Sequence, residues 1–94
     1  MLYKQMYTPQ VVEFLGTTLL LSAISFTGTP VMIVAALAIA IGLGGKVSGG
    51  HFNPAVTSWA LLSGKISQNK AMGYIIAQLA AAVFVYFLGT VVKV

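Results

Sequence analysis

The residues best suited to binding chemistry sit together, in Ser48-Gly49-Gly50-His51-Phe52-Asn53-Pro54-Ala55. Asparagine is a favoured helix N-cap, and proline suits the first helical position because the N–H it lacks would be unpaired there in any case. Asn53-Pro54-Ala55 therefore predicts a helix that starts at Pro54, with its partial positive end at Asn53. The Asn53 amide can donate hydrogen bonds to a neutral solute, and the glycine-rich approach exposes the carbonyls of Gly49, Gly50, His51 and Phe52 as an acceptor ladder. Donor and acceptors together can replace the hydration of a small uncharged molecule, while the helix end opposes a cation.

Little else in the chain is reactive. Glu13 is the only acid, His51 the only histidine, and there is no cysteine and no arginine. One Glu and one His separated by a membrane span give no recognisable catalytic constellation, so no enzyme is predicted. A lone His is not a metal site, and no cofactor is expected. The formal charge of +4 comes from Lys4, Lys46, Lys65, Lys70 and Lys93 against Glu13. These lysines are scattered at hydrophobic boundaries, where they read as topology determinants and lipid-headgroup contacts and not as a nucleic-acid patch.

The elements that must position these groups lie in a membrane. With 59% apolar and 6% charged residues and a mean hydropathy of +0.97, the chain is far less polar than a soluble domain, which carries about 25% charged residues. Its 94 residues allow about three crossings of about 20 residues each. Hydrophobic segments at about 11–26, 31–47 and 71–92 supply them, with Gly28-Thr29-Pro30 breaking the chain between the first two. Ala36, Ala40 and Gly44, and likewise Gly73, Ala77 and Ala81, recur at the i, i+4, i+8 spacing that lets membrane helices approach closely. Tyr74 near one end of the third segment, with Phe84, Tyr86 and Phe87 toward the other, fits aromatic residues near both interfaces. Lys4 before an apolar run also raises a signal peptide, against which stand the interruption at Glu13 and the lack of a clear small-residue cleavage site.

Between the second and third spans, Pro54 to Leu62 is an apolar run of only nine residues. At about 1.5 Å per residue it reaches about halfway through the hydrocarbon. Non-helical backbone at that depth is tolerated only where protein buries it or a watery cavity receives it. Residues 48–62 are thus predicted to form a re-entrant loop and half-helix beside a pore. In that arrangement Lys4, Lys46, Lys65 and Lys70 share one side, and the positive-inside rule places the amino terminus in the cytoplasm of a plasma or inner membrane.

The string Ser48 to Thr57 closely resembles the aquaporin (major intrinsic protein) signature Ser-Gly-[Ala/Gly]-His-x-Asn-Pro-Ala-Val-Thr. Glu13-x-x-Gly16-Thr17 in the first span and Ala77-Gln78 in the third also fall where that family has them, so the resemblance covers roughly residues 11 to 92. It implies an all-α membrane protein with three transmembrane helices plus one re-entrant half-helix, one half of an aquaporin-like right-handed bundle. Residues 1–94 would then form a single half-repeat. Aquaporins are the standing example of pores governed by diameter, hydrogen-bonding groups and electrostatic barriers. By the same resemblance Asn53, Pro54 and Ala55 belong to the pore motif, Glu13 accepts hydrogen bonds from the loop and holds it, and His51 positions the loop or borders the pore. Gln78 is expected to bond the loop backbone or to join helices. Ile33 occupies the second-span selectivity-filter position, where water-selective members commonly carry Phe and glycerol channels Trp. The filter arginine of the family follows a second Asn-Pro-Ala motif; here Val56 follows the one present.

These residues imply a passive channel half for water or small neutral solutes such as glycerol. It needs a second repeat, a partner half or a second copy to complete the pore, and would join a tetramer once completed. A second copy would have to insert upside down, against the lysine bias. The competing reading is a small three-span, holin-like protein that forms lesions by oligomerising, which length and span number also fit but which has no use for the re-entrant string.

Overall fold

Pro9 and Pro30 each begin a helix. A computed structural model describes residues 8–92, leaving Tyr3, Lys4, Tyr7 and Lys93 outside the described residues. Helix α1 spans Pro9–Phe26, α2 Pro30–Ser48, α3 Pro54–Leu62 and α4 Gln68–Val92. Thr8 and Thr29 cap the first two, their hydroxyls accepting from Val11 N and Met32 N at 3.4 Å each. Both helices therefore start a residue or two before their apolar runs, because Thr-Pro supplies a cap and then a preset φ. Helix α4 likewise starts in polar sequence, where the Ser67 hydroxyl accepts from Lys70 N at 3.1 Å.

The glycine-rich stretch does not unwind where its glycines begin. Gly42, Gly44 and Gly45 are helical, and α2 ends only at Gly49, whose φ of 91° places it in the left-handed region and whose N–H returns to Gly45 O at 2.7 Å. The glycines here allow close approach: a Cβ on Gly44 would collide with Val12 Cγ1, and one on Gly73 would lie 3.2 Å from Gln10 Cγ. Helix α1 thus packs between α2 and α4, and the short α3 packs on α4. Phe14 and Phe84 extend the α1–α4 seam, with ring centroids 5.9 Å apart.

Helices α1, α2 and α4 are each long and apolar enough to cross a membrane. At about 1.5 Å per residue, the nine residues of α3 advance about 14 Å, under half of the hydrocarbon thickness. The outer surface is apolar, with Val31, Leu43, Leu62 and Val91 all more than three-quarters exposed. The buried positions are mostly small or polar, among them Ala36, Ala40, Ala60, Ala71, Ala81, Glu13, Thr57 and Gln78. This inversion of the soluble pattern is what a lipid solvent selects: apolar contact gains little between helices, and small residues allow close packing. The chain is an integral membrane protein, all-α among the described residues, with three helices long and apolar enough to cross and one helix, α3, too short to do so. Tyr74 is 0% exposed, and its hydroxyl reaches inward to donate to the Ser48 carbonyl.

Candidate functional site

Glu13 lies one turn into α1, is 0% exposed, and organises the loop between α2 and α3. Its Oε2 accepts from Ser48 Oγ at 2.7 Å and His51 N at 3.1 Å. Its Oε1 accepts from Phe52 N at 2.7 Å and Gln78 Nε2 at 2.9 Å. Ser48 Oγ in turn accepts from Gly50 N at 3.1 Å, and Tyr74 donates to Ser48 O at 2.6 Å. The carboxylate's four donors come from the end of α2, from the loop and from α4. A buried carboxylate is tolerable only with this degree of partnering.

The bracing fixes the direction of the loop's peptide groups. No peptide bond here is cis, so each carbonyl runs antiparallel to the N–H that follows it. The N–H groups of Gly50, His51 and Phe52 point toward Ser48 and Glu13, so the carbonyls of Gly49, Gly50 and His51 point away from them. None of these three carbonyls has a hydrogen-bond partner among the described residues. Phe52 O is not fixed by this argument, because Asn53 N makes no such bond to the brace. Backbone angles match: Gly49, Gly50 and Phe52 all have positive φ, and at 52° Phe52 occupies a left-handed conformation that costs a non-glycine residue about 1–2 kcal/mol. Its ring offsets that cost by packing with Val12, Ala40 and Leu37 over the bare Cα of Gly16, where a Cβ would lie 2.6 Å from Phe52 Cζ.

The loop ends at Asn53, extended at φ −163° and ψ 128°, whose Oδ1 accepts from Ala55 N at 2.7 Å. Capping uses only the oxygen, so the Nδ2 donors of this exposed residue remain available. Pro54 and Ala55 open α3, with Ala55 exposed beside Asn53. One turn into α3, Thr57 is fully buried; it accepts from Gln78 Nε2 at 2.9 Å and lies 2.8 Å from His51 Nδ1. The His51–Thr57 bond can run in either direction, depending on the imidazole tautomer. His51 is also held edge-on to Tyr74, centroids 5.0 Å apart.

Gln78 thus meets a carboxylate and a hydroxyl and makes no bond to the loop backbone, a correction to the first of its two expected roles. Its Oε1 and the hydroxyls of Thr17 and Thr18 are buried without partners. Ile33 is not brought to the loop: it is half-buried in the first turn of α2, about 22 Å along the helix axis from Ser48. Thr57 and Tyr74 are the site residues whose part sequence reasoning missed. Thr57 lies within the motif string, but its spacing from His51 gives no signal of a bond to Gln78, and Tyr74 looked like any interfacial aromatic. No group of three or more metal-ligating side chains occurs among the described residues.

The fold and the site define a multi-pass membrane protein with a polar loop braced by a buried carboxylate. The family model described as Major intrinsic protein matches residues 3–93. The chain is 42% identical over 84 residues to a glycerol uptake facilitator protein-like 6 from Lactiplantibacillus plantarum, covering 76% of this chain and 37% of that protein. It is 37% identical over 92 residues to an aquaporin TIP1-2 from Zea mays (78% and 36%), and 37% identical over 83 residues to an aquaporin-5 from Sus scrofa (76% and 31%). No solved structure matches the chain significantly. The chain belongs to the major intrinsic protein family, and it spans about a third of the length of these curated relatives.

Proposed function

We propose that this chain is one half of a passive transmembrane channel for water or small neutral solutes such as glycerol, completed by a second repeat or a partner half. The observation that carries the proposal is the polarity of the loop. Its N–H groups are spent on Ser48 and Glu13, while the carbonyls of Gly49, Gly50 and His51 and the Asn53 amide stay open. A row of acceptors leading to a donor at a helix N-terminus suits a solute that both donates and accepts, and disfavours a cation at the helix end. The half-helix motif Asn53-Pro54-Ala55 lies at the depth where an opposing half-helix would meet it. Ile33 forms part of the selectivity wall, more apolar and less constricting than an aromatic residue there. Nothing in this reading calls for covalent chemistry. The names of the relatives, a glycerol uptake facilitator and aquaporins, support both solute classes. The completed channel would sit in a plasma or inner membrane, with the amino terminus cytoplasmic, and form the family's tetramer.

Stopped-flow swelling of proteoliposomes tests this directly, using the chain alone and the chain fused to the carboxy-terminal half of the glycerol facilitator-like relative. Faster water or glycerol entry in the fused form, lowered by Asn53→Ala, is the expected result. Swelling equal to that of empty liposomes in both forms would refute the channel, and release of an entrapped dye that persists in Asn53→Ala would mark a lesion-former instead.

A further inference from the structure

The end of the bundle where α2 stops and α4 starts carries Lys46, Lys65 and Lys70, and no acidic side chain, since Glu13 is the chain's only acid and is buried. Two of these lysines are held in place. Lys65 Nζ lies 5.6 Å from the centroid of the Trp59 ring, and Lys70 Nζ lies 5.7 Å from that of Tyr74. Both distances are within the range of a cation–π attraction. Lys65 lies within the connector from Ser63 to Ser67 that joins α3 to α4, and Lys70 in the first turn of α4. Next to Lys65 the surface of α3 is apolar: Trp59 is 58% exposed and Leu62, three residues on along the same helix face, 88%.

We infer that Lys65 and Lys70 form a docking surface for the headgroup of an anionic phospholipid, whose acyl chains lie against Trp59 and Leu62. The combination selects a lipid over a soluble polyanion, because a free phosphate has no use for the exposed apolar wall. The aromatic contacts restrict both long side chains before the lipid arrives, which lowers the ordering cost of binding. Each lysine near an anionic membrane surface contributes about fivefold in affinity, the equivalent of about 1 kcal/mol. The role is separate from setting topology, which acts during insertion, and it rests only on the membrane placement of the chain, so it stands or falls apart from the channel.

Trp59 is the only tryptophan, so its fluorescence reports on this surface without labelling. The full chain is reconstituted into symmetric vesicles in which either phosphatidylglycerol or phosphatidylcholine carries brominated acyl chains, at equal mole fractions. Symmetric vesicles remove any influence of insertion direction. Brominated phosphatidylglycerol is expected to quench Trp59 with an apparent affinity about fivefold or more above that of brominated phosphatidylcholine. Lys65→Gln/Lys70→Gln should abolish the preference while leaving quenching by brominated phosphatidylcholine unchanged, which shows that the variant is folded and inserted. Lys46→Gln should keep the preference. Equal quenching by the two lipids, a preference that survives in the double variant, or loss of the preference on adding millimolar inorganic phosphate at constant ionic strength would each overturn the inference.

Discussion

Asn53 does two jobs, and a single substitution separates them. Asn53 caps α3 through Oδ1 and leaves Nδ2 free. Asn53→Asp keeps the acceptor that Ala55 N needs, removes both donors and adds a negative charge at the helix N-terminus, where it is tolerated. Helicity and stability should be unchanged, while glycerol or water flux through the completed channel falls about fivefold to tenfold, the worth of one hydrogen bond. Parental flux in that variant would reduce Asn53 to a cap. Glu13 is the opposite case, because its burial ties its effect to the fold itself. Glu13→Ala strips the acceptor from His51 N, Phe52 N, Ser48 Oγ and Gln78 Nε2 together. Leaving a buried donor unpaired costs about 1–3 kcal/mol, so a loss of about 3 kcal/mol or more is expected in detergent-micelle unfolding followed by Trp59 fluorescence. A variant as stable as the parent would show that the loop holds its shape without the carboxylate.

At the scale of elements, the glycines divide by what faces them and not by their place in the sequence. Gly16 supports the Phe52 ring, so Gly16→Ala must displace a side chain whose backbone is already held at positive φ. The expected cost is about 1–3 kcal/mol, as for overpacking in a close-packed interior. Gly42 meets nothing within 4 Å on the exposed side of α2, and Gly42→Ala should stabilise the isolated chain by about 1 kcal/mol through helix propensity. Thermal unfolding of both variants in one detergent tests the contrast; equal shifts would deny the Gly16–Phe52 contact. The contrast also marks where the sequence was legible. The three apolar runs, the nine-residue run and Asn53-Pro54 gave the helices to within a few residues, because hydrophobic length and capping chemistry are local. The ends at Pro9 and Gln68 lay outside the apolar runs because side-chain caps, not hydropathy, decide them. The positive φ of Phe52, the inward turn of Tyr74 and the hub at Thr57 were not legible. Each depends on a partner tens of residues away in the chain: Phe52 on Gly16 and Glu13, Tyr74 on Ser48, Thr57 on Gln78.

For the molecule as a whole, the decisive question is whether the short helix turns back within the membrane. Helices α1, α2 and α4 can each cross, whereas the nine residues of α3 reach less than halfway. If the loop and α3 together return to their own side, Ser63 after α3 faces the same compartment as the end of α2, and Val31 near the α1–α2 turn faces the other. A crossing by residues 48–62 would instead put Ser63 and Val31 on one side. The chain contains no cysteine, so single variants report without background. Ser63 and Val31 are both exposed, and neither belongs to the loop's hydrogen-bond network. With the lysine-rich end inside, a membrane-impermeant maleimide added to intact cells should label Val31→Cys at once, and Ser63→Cys only after permeabilisation. Labelling of both from outside would mean that α3 and its loop cross, which removes the mid-depth placement of Asn53 and with it the basis for a solute site. The reversed pattern would keep the re-entrant loop and turn the whole molecule over, so that the lysine-rich end faces outward against the charge rule.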